Sequence, residues 1–357
     1  MASRSMPQQD TGVIVGVDTH GEVHVAAAFT SDLGRPLGHL EITTTPAGYH
    51  RLLAWARNLG TSPLFGIEGT SSYGAGLTRF LRDAECTVIE VNRPNRQTRH
   101  ARGKSDPVDA EAAARAVLSG EATAIAKQDH DHVGMIRSLR VARRSAVKTT
   151  TQIINQMKAL IVTAPADLRE QLRPLSGDRL IATAAALRPG PISTTVAAVK
   201  LALKGLAHRH QLLTTELETL DAELARLTAE AAPALCALTG VGPDVAGALL
   251  VAVGDNPDRL RSESAFAHLC GVAPLPASSG KTTGRHRLNR AGDRQANCAI
   301  WRIVMVRLAW HQPTKDYMIR RTKQGLSKKE IVRCLKRYVA REVYSVVVPG
   351  RELAAAA

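Results

Sequence analysis

Two short β-branched runs, Val13-Ile14-Val15-Gly16-Val17 and Pro63-Leu64-Phe65-Gly66-Ile67, each end on an acid, Asp18 and Glu68. Runs this short and this apolar read as strands buried on both faces of an α/β sheet. Open sheets of that kind place ligand chemistry at the carboxyl ends of their strands, so Asp18 and Glu68 are expected to face a common crevice. A second acidic pair has a different geometry. Asp106 and Asp109 precede the alanine-rich stretch Ala110 to Leu118, a strong helix former, and residues three apart share one helical face. Four carboxylates brought together repel one another unless a cation neutralises them, and hard oxygen donors suit Mg²⁺ or Mn²⁺. The expected site is a divalent-metal centre for phosphoryl chemistry.

Strand-like and helical segments alternate around these acids. Residues 23–29 and 38–42 continue an antiparallel meander after the first strand, 46–59 reads as helix, 64–68 as strand, 73–84 as helix and 86–91 as strand. That order is the order of a ribonuclease H-like fold. Arg93, Arg96, Arg99 and Arg102 then recur every third residue, with Lys104 close behind, a basic row suited to holding a phosphate backbone near the acids.

Charge bounds the partner. Lys and Arg total 47 against 32 Asp and Glu, a net charge of +15, which points to a polyanion such as DNA or RNA. No apolar stretch approaches the roughly 20 residues that span a bilayer, and the N-terminus has no basic region followed by an apolar one, so a membrane is excluded and a cytoplasmic, nucleoid-associated location is expected. Cys86, Cys236, Cys270, Cys298 and Cys334 include no C-x-x-C pair, which argues against a zinc site or a disulfide framework.

The chain is expected to divide into an α/β domain at 1–129, a helical or coiled-coil middle at 130–232 and a mainly α-helical C-terminal domain at 233–357. In the middle, Ile136, Leu139, Val147, Ile154, Met157 and Ile161 mark a long amphipathic helix made basic by Arg137, Arg140, Arg143, Arg144 and Lys148. Leu213, Leu217, Leu220, Leu224 and Leu227 give a second helix with heptad-like spacing, fit for an antiparallel hairpin or a dimer contact. Past Pro233, two apolar flanks surround Gly240-Val241-Gly242, as in a helix-hairpin-helix turn. From Lys281 to Arg341 basic residues dominate, with Trp301, Trp310, Tyr317, Tyr338 and Tyr344 interleaved, a composition fit for phosphate contacts and stacking, although helical spacing makes some of these aromatics core residues.

Ser279-Gly280-Lys281-Thr282 invites comparison with the end of a P-loop. That motif needs a glycine where Leu275 stands and a strand where two prolines stand, so nucleotide binding is rejected. What remains is a serine pair, Ser278 and Ser279, on a glycine-rich loop beside Lys281, Arg285, Arg287 and Arg290. A serine hydroxyl can attack phosphorus where cations stabilise charge on the phosphoryl oxygens.

Several motifs together resemble one family. Val15-Gly16-Val17-Asp18-Thr19-His20, Gly66-Ile67-Glu68-Gly69-Thr70, Lys104-Ser105-Asp106-Pro107-Val108-Asp109-Ala110, Leu238-Thr239-Gly240-Val241-Gly242-Pro243, Gly271-Val272-Ala273-Pro274, Ser279-Gly280 and Asn289-Arg290-Ala291-Gly292-Asp293 are similar, in this order, to the IS110-type transposases and the related Piv invertases. The resemblance implies a RuvC-like DEDD domain in which Asp18, Glu68, Asp106 and Asp109 bind Mg²⁺ or Mn²⁺, and a C-terminal domain with a nucleophilic serine matched to Ser279, with Ser278 one residue away. It also implies DNA as substrate at element ends and target, a structured guide RNA, a homo-oligomer (dimer or tetramer) and a site composed across subunits. The basic row at Arg93, Arg96, Arg99 and Arg102 belongs to no family motif and rests on charge.

Other classes compete with this reading. A structure-selective nuclease would use the same four acids without Ser279, and a non-enzymatic nucleic-acid-binding protein would need none of them. The sugar-kinase and actin superfamily shares a Gly-x-Asp-Thr-type first phosphate loop, but no second phosphate loop follows.

Overall fold

The computed structural model describes residues 12–92, 105–129, 131–276, 286–289 and 292–348, without the side chains of residues 287 and 288. It divides into two compact units, Met1–Gln128 and Asp129–Ala357.

The first unit is a mixed five-stranded sheet flanked by helices. Its strands are β1 (Val13–Thr19), β2 (Val23–Thr30), β3 (Pro36–Thr43), β4 (Leu64–Glu68) and β5 (Val88–Val91), in the order β3-β2-β1-β4-β5. β1, β2 and β3 form an antiparallel meander, while β4 pairs parallel to β1 and β5 parallel to β4. Helices α1 (Pro46–Leu59) and α2 (Ala75–Asp83) supply the crossovers on one side, and α3 (Asp106–Leu118) lies on the other.

Strand parity decides which residue meets which layer. Val13, Val15 and Val17 of β1, with Phe65 and Ile67 of β4, pack with Leu52, Leu53, Leu77 and Leu81 of α1 and α2. The alternate residues, Ile14 of β1 and Leu64 of β4, join Ala110, Ala113, Ala114 and Val117 of α3. Every residue of β1 is therefore buried, which is why its sequence is apolar without alternation.

Among its described residues, the second unit is helical apart from one two-stranded ribbon. Helices α4 (His132–Val162) and α7 (Thr195–Ala231) pack along each other as a long hairpin, the intramolecular form of the two arrangements the leucine spacing allows. Near the far end, α5 (Ala166–Leu172) and α6 (Gly177–Ala185) close a small core around Ile153, Met157, Leu172, Leu180 and Leu203. At the base, Val133, Ile136, Leu224 and Leu227 enter a larger core with α8 (Pro233–Cys236), α9 (Pro243–Val253), α10 (Glu263–Leu269), α11 (Arg294–Trp310), α12 (Gln312–Lys323) and α13 (Lys328–Val347). Strands β6 (Pro274–Pro276) and β7 (His286–Leu288) form the antiparallel ribbon. Tyr344 is buried and donates to the Leu260 carbonyl at 3.2 Å, so this aromatic belongs to the core, whereas Trp301, Trp310 and Tyr338 are exposed.

Candidate active site

Two glycines set how closely α3 approaches the sheet. Gly16 of β1 and Gly66 of β4 are register partners on the face that carries α3. A β-carbon on Gly16 would stand 2.1 Å from the Ala110 carbonyl oxygen and 2.3 Å from the Ala114 nitrogen. One on Gly66 would stand 2.6 Å from Val117 Cγ2. Helix α3 thus lies with its backbone against the strands, and small residues on both partners permit it. Pro107 near its start is suited to the first turn, where no amide hydrogen bond is lost.

This seat sets the acids. Asp18 and Glu68 share the parity of Gly16 and Gly66, so they stand at the carboxyl ends of β1 and β4 on the α3 face. Asp106 and Asp109 occupy the first turn of α3, where the positive end of the helix dipole favours carboxylates. Asp109 is 6% exposed and Asp18 8%, whereas half of the Asp106 side chain is exposed. Burial pushes the Asp18 carboxyl above its ordinary value, His20 pulls it back, and the charges of Asp109 and Asp106 push it up further.

His20 is the unforeseen member. Its Nε2 lies 3.1 Å from Asp18 Oδ2 and 3.4 Å from Asp106 Oδ1. One ligand atom from each of Asp18, His20 and Asp106 falls within 4.8 Å of the others. The signal was its spacing, since a residue two beyond a strand-end acid returns to the same face. The His20 amide donates to Nδ1 of His24 at 3.3 Å, and His24 is fully buried and stacked on Tyr49. Burial holds the His24 imidazole below its ordinary pKa. Glu68 stands at the neighbouring strand end, where its carbonyl accepts from the Thr19 hydroxyl at 2.8 Å; its carboxylate is outside the close group of three. The donor set of carboxylates plus one imidazole is compatible with a divalent cation.

In the second unit, Ser278, Ser279, Lys281, Arg285 and Arg290 lie outside the described residues, as do Arg93, Arg96, Arg99, Arg102 and Lys104 in the first; Arg287 is described only through its backbone. The serine-bearing segment joins β6 to β7, whose pairing runs from Pro274 with Leu288 to Pro276 with His286. The foot of this ribbon is tied down. Asn289 donates to the His268 carbonyl at 3.3 Å, and Asn297 donates to the Cys270 and Gly271 carbonyls at 2.9 and 3.0 Å. Asp293 caps α11 by accepting from the amides of Gln295 and Ala296 at 2.7 and 2.9 Å.

Residues 15–164 match the DEDD transposase family of IS110 type, and residues 232–318 match the transposase IS116/IS110/IS902 family. The chain belongs to the IS110 transposases. It is an enzyme of an insertion sequence, a DNA transposase, and DNA is its partner. No curated protein matches the chain. Among the described residues of this transposase, no helix is long and apolar enough to cross a membrane.

Three cations of the basic 281–341 stretch of the transposase have partners within the protein. Arg307 is buried and bonds Glu342 and the Thr239 carbonyl, Lys336 donates to Asn297 Oδ1, and Arg337 pairs with Glu263. Gly240 sits at φ +86°, a left-handed backbone that favours glycine, and a β-carbon there would stand 3.3 Å from the Ile303 carbonyl oxygen of α11.

Proposed function

We propose that the first unit is a RuvC-like, ribonuclease H-like platform whose Asp18, Glu68, Asp106 and Asp109 hold Mg²⁺ or Mn²⁺, and that Ser279 is the nucleophile of a cut-and-rejoin reaction on DNA. The observation that carries the reading is the convergence of Asp18 and Asp106, with Asp109 coupled to Asp18, at the carboxyl end of β1. When bound, the ion offsets the carboxylate repulsion and the charge that builds on phosphoryl oxygens.

The chain's own residues supply position. The glycine seat sets where the first turn of α3 meets β1, and the Asp18–His20 hydrogen bond fixes the orientation of both side chains. The Ser279 hydroxyl oxygen bonds to phosphorus as one bridging P–O bond of the strand breaks. The serine gives up its proton, the departing sugar oxygen takes one, and the phosphoseryl link is reversed on rejoining. Lys281, Arg285, Arg287 and Arg290 would balance the phosphoryl charge, and Arg93, Arg96, Arg99, Arg102 and Lys104 would hold the backbone near the acids. A structured guide RNA, a dimer or tetramer, and separate roles for residues 130–232 and 233–357 complete the proposal, supported by the family and the net charge of +15.

The test incubates purified protein with element-end DNA, the element's noncoding RNA, target DNA and Mg²⁺. Asp18→Ala and Ser279→Ala should both abolish recombination, and a covalent DNA adduct should map to Ser279. Normal recombination by both variants would sink the mechanism, while cleavage that survives Ser279→Ala would favour a plain metal nuclease.

A further inference from the structure

The second unit holds an open cavity of about 650 Å³ between α4, α9 and α11. Five cationic side chains line it, Arg140, Arg143, Arg144, Lys148 and Arg302, against the single carboxylate of Asp244. So uneven a lining within one folded unit has a physical cost, because like charges crowd one another.

Asp244 organises the wall. Its carboxylate accepts from Arg140 Nε at 3.1 Å and Arg302 Nη1 at 2.5 Å, and it lies 3.7 Å from Arg143 Nη1. Arg143 also pairs with Asp221. Asp244 is nearly buried, with 12% of its side chain exposed, and Arg140 is more so at 7%. Three guanidinium groups are thereby held in place around one negative charge, leaving the cluster positive. Burial lowers the Arg140 pKa, and the charges of Arg144 and Arg143 act in the same direction.

The rim has a spacing. Arg140, Arg144 and Lys148 follow one another at four-residue intervals on α4, a row of cations about 6 Å apart along the helix axis. Arg144 and Lys148 are exposed and have no carboxylate partner among the described residues. A single small anion would satisfy one turn of such a row, whereas consecutive phosphates satisfy all of it. Guanidinium forks suit phosphate oxygens in particular.

We propose that this cavity, formed by residues other than the four acids and Ser279, is a binding site for the phosphodiester backbone of duplex DNA, with Asp244 as its positioning residue and Arg144 and Lys148 as its free contacts.

Cys298 lines the cavity and is exposed, which makes it a reporter. The test uses the full chain in EDTA, so that strand chemistry plays no part, with a short duplex oligonucleotide as probe. The duplex should slow alkylation of Cys298 by N-ethylmaleimide several-fold while leaving Cys86 unchanged, read by peptide mass spectrometry. The double variant Arg144→Ala/Lys148→Ala should keep its melting temperature, bind the duplex about tenfold more weakly and lower the slope of log affinity against log salt by about 2. Unchanged Cys298 labelling at saturating duplex overturns the proposal, as does an unchanged salt slope in the double variant. Protection by a single-stranded RNA of equal length, without protection by the duplex, overturns the assignment to DNA. An Asp109→Asn chain should still show the protection, which separates this site from the metal reading.

Discussion

Asp18 is a carboxylate held where a carboxylate is uncomfortable, and its pH behaviour follows. Its folded pKa lies above its unfolded value of about 3.9, so without metal the folded state binds the proton more tightly. The stability this proton contributes is full below about pH 3.9 and is lost as pH rises through the raised folded value. In EDTA, Asp18→Asn should therefore melt higher than the wild type near neutral pH, the difference shrinking in acid, and Mn²⁺ should reverse the order by stabilising the wild type alone. Thermal denaturation from pH 4 to 7, with and without Mn²⁺, checks both signs; a variant that gains as much from Mn²⁺ as the wild type would remove Asp18 from the ligand set. Asp244 behaves oppositely. Burial would raise its carboxyl, but the Arg302 hydrogen bond and the charges of Arg140 and Arg143 outweigh it and hold the pKa below the ordinary value. Its contribution is present above about pH 3.9 and lost as pH falls through the lower folded value. Asp244→Asn should cost about 3 kcal/mol at neutral pH, because it leaves partly buried arginines without their counter-charge, and urea titration measures the loss.

At the scale of elements, the contact between α3 and the sheet sets the position of the first-turn acids. Gly16→Ala should destabilise the first unit by about 3 kcal/mol and should also weaken the Mn²⁺-dependent gain in melting temperature, since the helix cannot stay in place around the added methyl group. Calorimetry with and without Mn²⁺ separates the two effects, and a variant with unchanged metal response would show that the helix position is set elsewhere. The strands were legible in the sequence because a sheet covered on both faces needs continuous apolar runs, and the long helices because their apolar residues repeat at helical spacing. The glycine seat was not legible. Gly16 and Gly66 sit in apolar runs as unremarkable residues, and only the register that pairs them and the helix that crosses them give them a purpose. His20 was half legible, since its parity was available but its approach to Asp106 depends on where α3 begins. Arg307, Lys336 and Arg337 read as surface charge because a sequence records cations without recording the distant carboxylate or amide that each meets.

For the whole molecule, the division after Gln128 places the four acids and the serine ribbon in different compact units. A fragment of residues 1–128 should fold alone, give a cooperative melt by circular dichroism and retain a Mn²⁺-dependent shift, because its sheet is covered by its own helices. A fragment that stays unfolded in the presence of Mn²⁺ would show that the second unit is required to complete it. The seat of α3 has one more consequence, for how such a protein can change over generations. Main-chain atoms make the decisive contact at Gly16, and point mutation cannot trim a main chain. Randomising the surrounding core will alter stability far more readily than it alters the acids' relative placement. That placement moves only in jumps, when an inserted or deleted residue turns the helix by about 100° and carries Asp106 and Asp109 away from Asp18.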